Sequence, residues 1–297
     1  MPTNEQRRAT AKRKLERQLE RRAEKDRKRR LYTIIGSAVA AVIVIAAVVV
    51  TIVLTNRGSD TETASASSST STQASSPLDA PAPAKAGQLP PFTAPAGLGE
   101  NCQYPKSSEA ASKPNTPPRS GKVPTDPATV SASMETDQGN IGLQLDNAKS
   151  PCTVNSFASL AQQGYFNGTV CHRLTTGEGL AVLQCGDPTG QGTGGPGYQF
   201  ANEYPTDQYQ PDDPKLQEPV VYPRGTLAMA NAGPGTNGSQ FFLVYKDSQL
   251  PPNYTVFGTI DKTGLATLDK IAAAGTADGG ADGAPKNKVT IKSIQLD

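Results

Sequence analysis

The chain has 297 residues, enough for one large or two small domains, and its net charge of +2 hides two oppositely charged halves. Residues 1–30 carry thirteen Lys/Arg against five Asp/Glu, whereas the chain beyond Arg57 carries fifteen basic and twenty-two acidic residues. That balance argues against nucleic acid as a partner of the larger part and leaves only the short basic arm to consider.

The arm, residues 1–30, interleaves acids with bases at helical spacing in KRKLERQLERRAEKDRKRR. Attraction to lipid headgroups and a topogenic role explain it without nucleic acid. Leu31–Leu54 follows with no charge in 24 residues. As a helix it would extend ~36 Å, enough to cross a hydrocarbon core of ~30 Å. A cleaved signal peptide fits less well: the leader is long and charged, the apolar run exceeds the usual h-region, and no A-x-A site follows. The basic flank keeps the N-terminus cytoplasmic, so the chain is expected to be a single-pass membrane protein with residues beyond Leu54 outside the cell membrane.

Residues 55–97 are rich in Ser, Thr, Ala and Pro and lack periodic apolar residues, which predicts a disordered linker. Residues 98–128 form a pre-domain extension that stays rich in Pro, Ser and Lys but holds Cys102 and Tyr104. Regular structure is expected from Thr129 to Asp297. VSASMETDQGNIGLQLD predicts two strands around a turn at Asp137–Asn140, with Ile141, Leu143 and Leu145 alternating. SPCTVNSFASLAQQG predicts a helix with Ser150 at the N-cap, Pro151 in the first turn and Gly164 past the end. Its apolar stripe is Val154, Phe157, Leu160 and Ala161. Strand-like runs recur at TVCHRL, LAVLQCG, GTLAMA, QFFLVY, YTVFGTI and KVTIKSIQL, with one more helix at LATLDKIAAAG. Eight strands and two helices point to a mainly β fold, an antiparallel barrel or sandwich with its ends covered by helices.

All four cysteines, Cys102, Cys152, Cys171 and Cys185, fall on the expected outer side, where an even number predicts two disulfides with three possible pairings. Cys171 and Cys185 lie on consecutive strand runs that can face each other, which would leave Cys102 to pair with Cys152. No close cysteine pair of the C-x2-C type exists, so no metal site is expected. His172 is the only histidine; next to Cys171 on a strand, it points to the opposite face and cannot activate that sulfur. A structural hydrogen-bonding role is the expectation for it. GTGGPG lacks a following Lys-Ser/Thr, which excludes a phosphate loop and leaves a tight loop bringing backbone close to something.

Four blocks then stand in order: CHRL; LQCGDPTGQGTGGPGYQFANE; GTLAMANAGPGTNGSQFFLVY; and LPPNYTVFGTI. Together they resemble the cyclophilin family of peptidyl-prolyl isomerases over about Thr129 to Asp297. The resemblance implies an eight-stranded antiparallel β-barrel capped by two α-helices, and an enzyme needing no cofactor that acts on proline-containing polypeptides. Position by position it makes Arg173 the catalytic arginine and Gln184 the pocket glutamine. Ala230 and Asn231 match the pair that holds the peptide, and Phe242 matches the ring beneath the proline. Val182, Leu250 and Tyr254 complete the substrate-binding set. Phe241 should point into the barrel, because neighbours on a strand face opposite ways.

Several positions depart from the family pattern. The segment between Arg173 and Gln184 is longer and ends in Ala181-Val182 where Phe-Met is common. Gln249 replaces a frequent tryptophan, and Tyr254 a frequent histidine. Lost aromatic surface predicts weaker proline binding and weak binding of cyclosporin-type inhibitors. Cys185 stands where the family has glycine, which agrees with a disulfide to Cys171. The alternative function is a membrane-tethered, non-catalytic or weakly catalytic module that binds proline peptides.

Overall fold

The computed structural model describes residues 86–297. The basic arm, the expected membrane helix and most of the expected linker lie outside the described residues. Among the described residues no helix is long and apolar enough to cross a membrane.

All eight strand-like runs form strands: β2 (Thr129–Thr136), β3 (Gly139–Asp146), β4 (Arg173–Thr175), β5 (Val182–Cys185), β7 (Thr226–Met229), β8 (Phe241–Val244), β10 (Val256–Ile260) and β12 (Ile291–Leu296). A ninth, β11 (Asp282–Gly283), is only two residues long. They make one antiparallel sheet in the order β11-β4-β5-β8-β7-β10-β3-β2-β12. The sheet curls so that the segment before β4 meets the segment before β12, at a bridge between Val170 and Thr290. The expected count of eight is therefore nine. A second, three-stranded sheet joins β1 (Gly87–Gln88), β6 (Val220–Tyr222) and β9 (Ser248–Leu250). These segments are too short for period-two patterning to reveal them.

Two α-helices pack on the curled sheet. Helix α1 (Pro151–Gln162) lies against β12 and β3, and α2 (Lys262–Ala274) against β3. The stripe Val154, Phe157, Leu160 and Ala161 is buried. Phe157 lies with its ring centroid 5.2 to 5.4 Å from those of Phe166, Phe241 and Phe257. Ser150 does not cap α1 with its side chain; its hydroxyl donates to the Val256 carbonyl at 2.8 Å instead. The cap comes from Glu203, whose carboxylate accepts from the Cys152 and Thr153 amides and the Thr153 hydroxyl. Those donors favour the ionised form, but burial outweighs them and pushes Glu203 up to about 7.

Alternation along the central strands separates two apolar clusters. Leu183, Cys185, Leu227, Met229, Phe241 and Leu243 join the helix-covered core, while Val182, Ala228, Phe242 and Val244 join a second cluster on the other face. A strand buried on both sides reads as a continuous apolar run, and β8 is buried at all four positions.

The chain departs from expectation most at its N-terminal side. Residues 86–97, assigned above to the disordered linker, are docked: β1 pairs in parallel with β6, the Phe92 ring meets Tyr204 edge-on at 5.6 Å, and Pro90 accepts a bond from the Tyr204 hydroxyl. The pre-domain extension is a strap rather than a loose lead. Tyr104 is buried against Tyr198 and Phe200, and its hydroxyl donates to the Cys152 carbonyl at 2.7 Å. Composition concealed this because a few anchors, not a periodic stripe, hold the strap. Both expected disulfides form, Cys102–Cys152 and Cys171–Cys185.

The Cys102–Cys152 bond closes 50 residues of sequence separation. Replacing both cysteines with alanine should lower stability by about 2–4 kcal/mol. Urea unfolding of the variant should show an earlier midpoint; an unchanged one would mean that packing alone secures the strap.

Candidate functional site

Sheet register builds the site. Arg173 on β4 stands opposite Gln184 on β5, Gln184 opposite Phe242 on β8, and Phe242 opposite Ala228 on β7. Directly opposed residues share a face, so one row crosses four strands on the side away from the helices. A slip of one residue in any of these strands would turn its contribution into the core.

The Arg173 guanidinium is gripped from two sides. Its Nε and Nη2 donate to the Asp282 carboxylate at 2.8 and 2.7 Å, and Nη1 donates to Gln184 Oε1 at 3.2 Å. The hydrogen-bonded carboxylate raises the Arg173 pKa, and Arg173 holds Asp282 below the usual carboxylate range. Gln184 is oriented in turn: its Nε2 donates to Gln240 Oε1 at 2.9 Å. Gln240 Nε2 donates to the Gly192 and Gly194 carbonyls, both at 3.0 Å. The loop carrying those carbonyls folds around Asp187, which is fully buried. Asp187 accepts from the Thr189 amide and hydroxyl; these bonds and those from the Gly194 and Gly192 amides outweigh burial and lower its pKa.

The apolar floor lies beside this polar edge. Phe242 is buried against Val182, Val220, Tyr222, Ala228 and Val244, with Ala230, Leu250 and Tyr254 packed on the same cluster. Tyr254 meets Phe242 edge-on with ring centroids 5.8 Å apart, and it is near enough to Arg173 to act on its pKa. Asn231 is positioned by its side chain, which donates to the Asn253 carbonyl at 2.8 Å and accepts from the Gly233 amide. Its main-chain N–H and C=O make no hydrogen bond among the described residues. Arg173, Val182, Gln184, Ala230, Asn231, Phe242, Leu250 and Tyr254 thus fall on one connected surface: a cation, an apolar floor and a polar edge.

Two expectations change. Ala181 packs with the helix-covered core rather than the site cluster, which leaves Val182 as the one of the pair at the floor. The longer segment before it leans onto β9, where the Gly179 carbonyl accepts from the Gln249 amide at 2.8 Å. His172 lacks a hydrogen-bond partner at one of its two nitrogens: among the described residues its buried Nδ1 has none, and burial lowers its pKa. Sequence reasoning missed Asp282 and Gln240 entirely. Asp282 is 109 residues from Arg173 in a Gly/Ala/Asp loop, where no periodicity or motif marks it.

A family model described as "Cyclophilin type peptidyl-prolyl cis-trans isomerase/CLD" matches residues 131–296. A protein of Mycobacterium leprae named "Probable peptidyl-prolyl cis-trans isomerase B" is 72% identical over 297 residues, covering 100% of both chains. Its namesake in Mycobacterium tuberculosis is 69% identical, covering 100% of this chain and 95% of the relative. Among solved structures, a cyclophilin type peptidyl-prolyl cis-trans isomerase of Cryptosporidium parvum shares 30% identity, with a TM-score of 0.45, over 57% of this chain and 98% of its own.

Because the Asp282 pKa is depressed in the fold, its pairing with Arg173 should hold above the ordinary value of 3.8 and fail only as pH falls below it. In side-chain NMR, the Arg173 Nε–H signal should persist from neutral pH to about pH 4 and broaden away in Asp282→Ala. Loss of the signal well above that pH, or its survival in the variant, would show that this carboxylate does not hold the guanidinium.

Proposed function

We propose that this chain, which belongs to the cyclophilin-type peptidyl-prolyl cis–trans isomerases, turns X-Pro bonds by offering Arg173 to the twisted amide. It is a peptidyl-prolyl cis–trans isomerase acting on proline-containing polypeptides. The reaction makes and breaks no covalent bond. An X-Pro bond turns over tens to hundreds of seconds unaided, because resonance gives the C–N bond partial double-bond character. In the twisted state that resonance is lost and the prolyl nitrogen regains a lone pair. A donor aimed at this nitrogen binds the twisted amide better than the planar one, which is the condition for rate enhancement.

The observation that carries the reading is the state of the guanidinium. Three of its five N–H groups are engaged by Asp282 and Gln184, which leaves one on Nη1 and one on Nη2 for a substrate. Phe242, Val182 and Leu250 would take the proline ring, while the free main-chain groups of Asn231 hold the flanking peptide. One side of the amide then turns against a fixed other side. No proton transfer is required.

Extracytoplasmic action is the further part of this reading. It is supported by the uncharged Leu31–Leu54 with its basic flank, and by four cysteines that all lie beyond it. The basic arm would stay in the cytoplasm, the apolar segment would lie in lipid, and the isomerase would act on proteins folding outside. Weak binding of cyclosporin-type inhibitors follows from Val182 and the exposed Gln249 at positions where larger apolar residues would grip them.

With the full-length chain in detergent, NMR exchange on an Ala-Pro-Phe peptide should show accelerated isomerisation. Arg173→Ala should reduce kcat/KM about 10²–10³-fold, the size of losing one preorganised donor at developing charge. Arg173→Lys should not rescue it, since an ammonium cannot hold Asp282 through two parallel bonds and also reach Gln184. Tight peptide binding with no acceleration in the unmodified chain would favour a proline-peptide holder. Orientation has a separate check: protease added to intact cells should release the folded portion, and its protection would reverse the assignment.

A further inference from the structure

The apolar wall of the site rests on the small sheet. Leu250 is the last residue of β9, which is three residues long and pairs with β6, also three residues long. Two such strands alone make a ribbon that is marginal in water. A third strand, β1, lies along the other edge of β6 and pairs with it in parallel. This strand belongs to a stretch of chain outside the residues 131–296 that the family model matches.

Register ties β1 to the floor. Gly87 stands opposite Val220 and Val220 opposite Leu250, so the three make one row across the small sheet. Val220 is buried in the cluster that floors the site, together with Phe242. Residues two apart on an extended chain share a face, which puts Leu89 beside that row. Leu89 packs on the floor cluster, as Leu250 does, and it is the one side chain of residues 87–93 to do so.

The rest of the stretch is pinned by other groups. The Gly87 amide donates to the Pro219 carbonyl at 3.1 Å. Past Leu89, the Pro90 carbonyl accepts from the Tyr204 hydroxyl at 2.8 Å, and the Phe92 ring packs edge-on against Tyr204. Gln208 clamps the main chain of Thr93: its Oε1 accepts from the amide at 2.8 Å and its Nε2 donates to the carbonyl at 3.2 Å. Tyr204 links these anchors to the site, because its carbonyl accepts from the amide of Val256, which packs on the floor cluster. Pro90 and Pro91 restrict the undocked chain, which lowers the entropy cost of docking it. A stretch that served only to lead into the domain would need neither the clamp nor a leucine at the floor.

We propose that residues 87–93 are a working part of the isomerase site, with Leu89 as a positioning residue that backs the floor and, through β1 and β6, holds the Leu250 wall against the proline ring. The inference rests on the isomerase reading of that floor. The wall touches the ring in planar and twisted amides alike, so its displacement should appear in KM rather than in kcat.

The test uses the full-length chain in detergent and NMR exchange on the Ala-Pro-Phe peptide over a range of peptide concentrations. Leu89→Ala should raise KM about three- to tenfold, the worth of roughly one or two methylene groups of ring contact, with kcat held within about twofold. Leu89→Met, of similar volume, should keep KM near that of the unmodified chain. The double variant Gly87→Pro, Gln208→Ala removes the β1 pairing and the clamp on Thr93 but leaves every side chain of the floor in place. It should raise KM in the same way, and it decides the matter alone if Leu89→Ala does not fold. An unchanged KM in the double variant, or a fall in kcat at constant KM, overturns the positioning role and leaves the isomerase intact. Failure of the unmodified chain to accelerate the peptide overturns the isomerase reading and this role with it.

Discussion

Two phenylalanines side by side on β8 divide this molecule between stability and function. Phe241 meets Phe157 and Phe166 in the helix-covered core, while Phe242 turns the other way to floor the site. Strand geometry sends neighbours to opposite faces, so neither ring can be moved without shifting the register of β8 against β5 and β7. The row Arg173–Gln184–Phe242–Ala228 is a consequence of that register. Positioning a cation beside an apolar floor is therefore tied to the packing that keeps the sheet folded.

A second layer of order acts on the cation through polar groups. Buried Asp187 shapes the glycine loop, the loop carbonyls orient Gln240, Gln240 orients Gln184, and Gln184 shares Arg173 with Asp282. Each link in this series pairs a donor with an acceptor, so each group orients the next. For a reaction that consists of turning an amide, rigidity is the main resource: the donor must already be in place when the lone pair emerges.

The strap extends this logic outside the curled sheet. It is fastened by a disulfide at Cys102, by the buried ring of Tyr104, and by main-chain bonds to the glycine loop. Its contacts fall on the loop that orients Gln240 and on the helix end capped by Glu203. A segment with little apolar content thus acquires a fixed path.

The sequence by itself determined eight of the strands, the two helices and the division between Phe241 and Phe242, and its resemblance to the family pointed to Arg173, Gln184 and Phe242. Those properties depend on local periodicity or on a run of neighbours, MANAGPGTNGSQFF above all. The position of Cys171 and Cys185 on consecutive strand runs likewise anticipated one disulfide, and the other was the pair left over. Only the tertiary structure decided that Asp282 grips Arg173, that Glu203 rather than Ser150 caps α1, that Ala181 faces the core, and that residues 86–128 are docked. Each is a pairing of groups far apart in the chain, or of an isolated anchor with a distant pocket. A single carboxylate in a glycine-rich loop carries no periodic signal; its role exists only once the curl of the sheet brings β11 beside β4.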